Sequence, residues 1–459
     1  MTYDFIIVGG GPGGYTAALR AASLDKKVAL VEKSHLGGVC LNWGCIPTKS
    51  LLRSSKLYEQ IKNAGQFGIS CQELRIDLAQ VVGRKNKVVE QLRQGLGRLM
   101  DQRNIEVIEG RARLEAPGRV LVDTPQGERS LEGRFVILAP GSDVAPLPGL
   151  ECDGRRVLDI KAALDLSELP RRLLVVGAGV VGCEMAQFFG GLGCQVSMVD
   201  ILEAPLGGAL DADLAKLVVR QFKKRKVKLF LGTTISSLQK EPDQLKAVLA
   251  SGQEIECDVV LVAVGMKPNT SGLGLEEAGV ELDQRGCVKV NRHGQSSQPT
   301  VYGVGDATGL MPLAHFASHM GQVAVRHALG DQAAAVEELA VPKVVFMEPE
   351  LAWVGLDQAA AQERYGELKT GQFMIRGLGR ATAEAKLDGL VKLVARAEDE
   401  VLVGAHIMGP QASGLVAEAT LAVARGLTLG DLAETIHAHP TYEEALPEAA
   451  DAALGRPLH

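Results

Sequence analysis

Cys40 and Cys45 sit in the segment LGGVCLNWGCIPTKSLL, with four residues between them and beside Gly44 and Pro47, which mark a helix start. Cysteine does chemistry as the thiolate, and a helix N-terminus lowers thiol pKa, so this placement predicts reactivity. Three readings of the pair are open. A zinc site needs a second ligand pair. Here Cys71, Cys152, Cys183, Cys194, Cys257 and Cys287 are scattered singly and no His-x₃₋₅-His lies nearby, so no metal is expected. Two buried bystander thiols need no chemistry at all. A redox pair needs the sulfurs to meet, yet helical residues five apart have Cα atoms roughly 8–9 Å apart, beyond disulfide reach of about 4.4–6.8 Å. A bond between them therefore requires a distorted helix start, which Gly44 and Pro47 permit. A strained local disulfide in a reducing compartment points to catalysis rather than structure.

A second constellation lies near the C-terminus in IHAHPTYEEA (436–445). His439 precedes Pro440, and Glu444 follows five residues later. A carboxylate at that spacing can fix an imidazole tautomer and raise its basicity. His437 is the local competitor for the same role.

Elements that position such groups are legible as an internal repeat. FIIV (5–8) leads into Gly9, Gly11 and Gly14 in a G-x-G-x-x-G pattern, then an Ala-rich helical segment, then VALVE ending at Glu32. This is a strand–turn–helix–strand unit. It recurs as LLVVGAGVVGCEMAQFFGGLGCQVSMVD, with Gly177, Gly179, Gly182 and a closing Asp200, each 168 residues after its counterpart. The first glycine permits the tight turn, the second lets backbone approach a pyrophosphate, and the third lets helix pack on strand. The helix N-terminus then offers N–H groups to phosphate, and the closing acid accepts from a ribose diol. Ile201, Leu202 and Glu203 follow Asp200 with no cation for a 2′-phosphate, so the second site is expected to prefer NAD over NADP. Downstream, TVYGVGD (300–306) predicts a strand ending at Asp306, and PLAHFASHMGQVAVRHAL a helix. Asp306 suits a hydroxyl-rich chain such as the ribityl of a flavin; an ordinary turn aspartate is the alternative.

With 459 residues, 46% hydrophobic, the chain exceeds one ordinary core and predicts about three or four folded units. Lys and Arg total 49 against 55 acids, a net charge of −6, which argues against nucleic acid or an anionic membrane as partner. MTYDFIIVGG enters an apolar run at once, so no secretory signal is expected. The longest charge-free stretch, Ala307 to Val325, contains Pro312, His315, His319 and Gln322, and no membrane span is expected. Eight cysteines are too sparse for a disulfide scaffold and predict a reducing cytoplasm.

These motifs, with a second G-x-G-x-x-G-x-E ending at Glu184 and GDAT at 305–308, stand in the order of the class I pyridine nucleotide–disulfide oxidoreductases, which the chain resembles along essentially its whole length. GGVCLNWGCIPTK and IHAHPT most resemble the members that oxidise protein-bound dihydrolipoamide to lipoamide while reducing NAD⁺. The resemblance implies an α/β protein with two Rossmann-like domains: FAD-binding (about 1–145) and NAD-binding (about 146–266). A central domain (about 267–338) would complete the FAD site, and an α+β dimerisation domain (about 339–459) would follow. It implies FAD on Gly9, Gly11, Gly14, Glu32, Lys49 and Asp306, with backbone contacts near Ala112 and Ala314. It implies NAD on Gly177, Gly179, Gly182 and Asp200, with backbone contacts near Ile235 and Gly265. Cys40 would be the interchange sulfur and Cys45 the flavin-facing one. His439, oriented by Glu444, would act as base from the other subunit of a homodimer. Lys49, expected to pair with Glu184, would sit near the flavin nitrogen. The implied partner is a lipoyl-bearing protein of a 2-oxo acid dehydrogenase or glycine cleavage complex.

The family's usual ATG reads Ala139-Pro140-Gly141 here, Lys267 stands where Arg is commoner, and LAHFASHMG lacks a charged pair. Two other reductases compete. A glutathione reductase-like enzyme is disfavoured by the residues after Asp200. A mercuric reductase-like enzyme is disfavoured because no cysteine follows Cys287. A purely structural docking subunit of such a complex would need none of Cys40, Cys45, His439 or Glu444.

Overall fold

The computed structural model describes residues 2–459. Its chain falls into two compact units, one built from residues 2–51, 79–146 and 265–336, the other from 52–78, 147–264 and 337–459.

In the first unit, β1 (Thr2–Val8), α1 (Pro12–Ala22) and β2 (Val28–Glu32) form the predicted βαβ unit, with Phe5 opposite Val28 in a parallel register. A short helix α2 (Gly38–Trp43) and the first residues of α3 (Cys45–Lys62), which runs on into residues of the second unit, follow. Four more strands, β3 (Glu106–Glu109), β4 (Arg111–Ala116), β5 (Arg119–Thr124) and β6 (Gly127–Leu138), give the order β3-β2-β1-β6-β5-β4, and a seventh completes the sheet. The strand Val301–Gly303 joins beside β6 in parallel. Alternation along β1 sends Ile6 and Val8 into a core with Val31, Val136, Leu138 and Val301. The buried face of α1 is Gly13, Gly14, Ala17, Ala18 and Ala21. Small residues there let the helix Ala314–Ala328 lie against it: a Cβ on Gly321 would stand 2.4 Å from the Gly13 carbonyl oxygen. One expectation shifts. The strand ends at Gly303, and Asp306 lies in a following 3₁₀ turn, Gly305–Thr308, rather than at a strand terminus.

In the second unit, the repeated βαβ unit is Arg172–Val176, Val180–Gly191 and Gln195–Asp200, within a five-stranded parallel sheet. A three-stranded antiparallel sheet (Ile235–Lys240, Leu245–Leu249, Glu254–Cys257) accompanies it. Residues 337–459 form a five-stranded antiparallel sheet whose strands Leu390–Arg396 and Leu402–Gly409 are almost wholly buried. The helices Ala412–Arg425 and Ala445–Ala453 bury their alanine faces in the same core. Among the described residues, no helix is long and apolar enough to cross a membrane.

Lys392 is the unusual member of that core, 2% exposed on a buried strand. Its ammonium lies 2.8 Å from both Asp211 and Asp213, at the start of the helix Ala212–Lys224. Burial pulls the Lys392 pKa down, but the two carboxylates outweigh it and leave the ammonium above its ordinary value. Buried pairs are weak sources of net stability, yet removing one partner strands a charge at a cost of about 3–5 kcal/mol. Lys392→Met is therefore expected to destabilise the protein by about 3 kcal/mol, read as a lowered thermal midpoint; an unchanged midpoint would show that Asp211 finds another partner.

Candidate active site

The two glycine loops have the same local physics. Gly9 and Gly177 both adopt φ +104°, and a Cβ would lie 2.0 Å from the Ala139 oxygen and 2.3 Å from the Ala263 oxygen respectively. The third glycines are just as constrained: a Cβ on Gly14 would stand 1.8 Å from the Gly9 oxygen, and on Gly182 1.9 Å from the Gly177 oxygen. The middle glycines differ. Around Gly179 a Cβ would meet nothing within 4 Å, and at Gly11 only the Gly38 Cα at 3.7 Å. Space is therefore left open at the point where each helix begins. Gly11 and Gly179 are N-caps with no side-chain hydrogen bond, which keeps the first-turn N–H groups of both helices for an anion.

The closing acids brace these loops. Glu32 accepts from the Gly10 N–H at 2.7 Å and the Ser34 N–H at 2.8 Å. Asp200 repeats this with the Ala178 N–H at 2.6 Å and the Leu202 N–H at 2.8 Å. A carboxylate has about four acceptor positions, so each acid keeps capacity for a diol. A dinucleotide fits both loops. The side chain of Asp306 accepts from the Ser142 hydroxyl, and burial pushes its carboxyl pKa up. Ala112 lies on β4 and Ala314 opens the helix Ala314–Ala328. Ile235 opens its antiparallel strand, and Gly265 has φ +119°.

Between α2 and α3 the chain breaks at Gly44, with φ −135° and ψ −110°. Cys40 therefore sits inside one short helix and Cys45 opens the next, which is the distortion that a meeting of the two sulfurs requires. Any side chain at position 44 would crowd this bend, since a Cβ would lie 3.0 Å from the Val39 oxygen and 3.3 Å from the Cys40 Cα. Both cysteines are thiols here. A hydrogen bond with Cys45 and burial hold the Cys40 pKa far above the ordinary thiol range, with the Lys49 charge pulling only weakly the other way. The helix start belongs to Cys45, which opens α3; Cys40, within α2, is held toward the protonated thiol. Lys49 lies one turn beyond Cys45 on α3.

Three nearby residues escaped the sequence reading. Asn42 is buried and donates to the Leu36 and Gly38 carbonyls at 3.0 and 2.9 Å, fixing the start of α2. The Tyr15 phenol has its pKa raised by burial and by the charges of Cys40 and Cys45. Ser142 is the third. A lone Asn between two cysteines was the available signal for the first; nothing local marks the other two.

In the second unit, Glu184 is 2% exposed on Val180–Gly191 and accepts from the Phe346 N–H at 3.0 Å. His439 places Nδ1 2.8 Å from Glu444 Oε1, while the Thr441 N–H donates to Oε2 at 2.9 Å. Burial raises the Glu444 pKa, but the Thr441 amide and the histidine outweigh it and hold the carboxyl below its ordinary value. The imidazole itself is exposed. No cluster of three or more His, Cys, Asp or Glu residues able to hold a metal occurs among the described residues.

Residues 3–321 match the model of the pyridine nucleotide-disulphide oxidoreductase family, and residues 341–450 match that family's dimerisation domain. The chain belongs to the pyridine nucleotide-disulphide oxidoreductases. As a member it is an oxidoreductase, and FAD and NAD are the cofactors with which this family works. It is 40% identical to the dihydrolipoyl dehydrogenase of Thermus scotoductus, over 100% of this chain and 99% of that one. It is 37% identical to the dihydrolipoyl dehydrogenase of Chlamydia muridarum, over 100% and 98%. Among solved structures, LpdA from Mycobacterium tuberculosis aligns with a TM-score of 0.92 at 30% identity, covering 97% of this chain and 98% of that one. The HOCl-induced flavoprotein disulfide reductase RclA from Escherichia coli aligns with a TM-score of 0.86 at 25% identity, covering 98% and 99%.

The two glycine roles are separable by substitution. Gly179→Ala leaves the loop unstrained and is expected to weaken NADH binding about 10-fold, or roughly 1.4 kcal/mol, with an unchanged melting temperature. Gly182→Ala drives a methyl into the Gly177 carbonyl and should lower the melting temperature. Titration of NADH and a thermal melt distinguish them; equal melting temperatures for the two variants would refute the assignment.

Proposed function

We propose that this chain oxidises protein-bound dihydrolipoamide to lipoamide and reduces NAD⁺ to NADH, as a homodimer in a reducing cytoplasm. The observation that carries the reading is the Cys40–Cys45 contact across the break at Gly44. The lipoyl partner, on this reading, belongs to a 2-oxo acid dehydrogenase or glycine cleavage complex, and residues 267–338 complete the first nucleotide site.

FAD would be held by Gly9, Gly11, Gly14, Glu32, Lys49 and Asp306, with backbone contacts near Ala112 and Ala314, and would supply a two-electron redox centre between the cysteines and NAD. The second loop orients NAD through Gly177, Gly179, Gly182 and Asp200, with backbone near Ile235 and Gly265. The oxidised protein carries a Cys40–Cys45 disulfide. His439 of the partner subunit takes the proton from one thiol of the dithiol, with Glu444 fixing its tautomer through Nδ1. The new thiolate attacks Cys40, the Cys40–Cys45 bond breaks, and Cys45 leaves as thiolate. The second substrate thiol displaces Cys40, closing the cyclic disulfide and returning Cys40 as thiol. Two electrons thereby reach the cysteine pair and leave with NADH, and one net proton is released. The raised pKa of Cys40 supports this order, since it takes up the proton while Cys45 carries the charge. Lys49, with Glu184 as its expected partner, would supply the positive charge that a bound flavin calls for beside its nitrogen on reduction.

Asp200 followed by Ile201 and Leu202 favours NAD over the NADPH of a glutathione reductase-like enzyme. Purified holoenzyme should turn over dihydrolipoamide with NAD⁺ far faster than glutathione disulfide with NADPH; the reverse preference sinks the reading. Cys45→Ser should keep the yellow flavin and lose dithiol–NAD⁺ turnover, and turnover at the native rate would refute the scheme. His439→Gln should slow reduction by dithiol about 10²–10⁴-fold and leave reduction by NADH nearly unchanged. Equal slowing of both halves in stopped-flow absorbance would count against His439 as base.

A further inference from the structure

Two histidine–carboxylate pairs stand in tandem on the loop between the helices Leu429–Glu434 and Ala445–Ala453. The proposed base uses one of them, His439–Glu444. The other is His437 with Glu418, from the helix Ala412–Arg425. His437 Nε2 lies 3.0 Å from both Glu418 oxygens, and Nδ1 lies 2.8 Å from the Thr435 carbonyl. Each ring nitrogen of His437 thus faces an acceptor, one a carbonyl and the other a carboxylate. The two rings differ in their environments. The His437 side chain is 9% exposed, His439 75%.

The loop needs such an anchor. Its upstream end is held by the capping box of Thr428 and Asp431 and by the Thr435 hydroxyl donating to the Asp431 carbonyl at 2.7 Å. Its downstream end is held by the Thr441 hydroxyl on the Ala438 carbonyl at 2.7 Å and by buried Tyr442. Between them Ile436 is 97% exposed and contributes no packing within the chain. His437 ties this stretch sideways to a helix whose buried residues Leu415, Val416, Ala419 and Ala422 are fixed in the core. A general base must sit within hydrogen-bond reach of its proton, and a misplacement of about 1 Å can cost about 100-fold in rate.

We propose that His437 and Glu418 are positioning residues that clamp the 435–441 loop onto the helix Ala412–Arg425 and thereby hold His439 at the substrate dithiol. This rests on the reading of His439 as base. The test is stopped-flow reduction of the FAD-loaded dimer by dihydrolipoamide and, separately, by NADH. Glu418→Ala should slow the dithiol half-reaction roughly 10–100-fold and leave the NADH half-reaction within about twofold. Glu418→Gln, whose amide oxygen still accepts from Nε2, should recover most of the rate. His437→Ala should match Glu418→Ala, and the double variant should be no slower than either, since all three remove one contact. Amide hydrogen exchange of residues 436–441 should quicken in Glu418→Ala. A dithiol rate within twofold of native in Glu418→Ala, multiplicative losses in the double variant, or equal slowing of both halves would overturn the proposal. His439→Gln, run in parallel, separates the failures: if it leaves the dithiol half-reaction intact, the base assignment fails; if it slows that step while Glu418→Ala does not, only the clamp fails.

Discussion

Backbone against backbone at one point ties the first unit's chemistry to its nucleotide loop. Gly38 adopts φ +57°, and a Cβ on it would lie 2.6 Å from the Gly11 Cα. Beside it the Gly37 N–H donates to the Gly10 carbonyl at 2.8 Å. No side chain fits between these segments. The residues that shape the phosphate turn therefore also set where α2 begins, and α2 carries Cys40 two residues on. Asn42 completes the arrangement by tying its amide back to Leu36 and Gly38. Displacing either segment moves the sulfur relative to the loop.

A single device recurs wherever this chain needs a polar group held still. A carboxylate accepts from a backbone N–H and, at the same time, from a second partner. Glu444 does so with Thr441 and His439, and Asp211 with the Asp213 amide and Lys392. Backbone amides are fixed by the secondary structure around them, so a carboxylate bound to one inherits that rigidity without a rotamer search of its own. The His439 imidazole and the Lys392 ammonium are thus oriented by acids that are themselves anchored to the backbone.

Legibility in the sequence followed distance along the chain. The βαβ repeat was visible because strand, glycines, helix and acid lie within one short span, and its boundaries match closely. The spacing of His439 and Glu444 carried their hydrogen bond for the same reason. Gly44 and Pro47 announced a distortion, though not that it would place Cys40 in a separate helix. Asp306 was assigned to a strand terminus because GVGD continues the apolar pattern; the turn at Gly305 with φ +68° ends the strand earlier. Pairings across the fold were silent. Lys392 meets Asp211 across most of the second unit's sequence, and Glu418 reaches His437 from a helix whose own pattern reads as alanine-rich core. Such contacts depend on which faces meet, and local periodicity carries no information about that.

The acids that close the two repeats have a consequence for cofactor exchange. Asp200 is usually regarded as a reader of the ribose, replaceable when a different nucleotide is wanted. Here its carboxylate also spans the Ala178 and Leu202 amides, stitching the glycine turn to the strand end. Replacing it with a small or basic residue to admit a 2′-phosphate would leave two N–H groups without their acceptor and loosen the very turn that receives the pyrophosphate. A lineage adopting NADP must therefore supply a new brace along with a new cation, which makes the switch a coupled change rather than a single step.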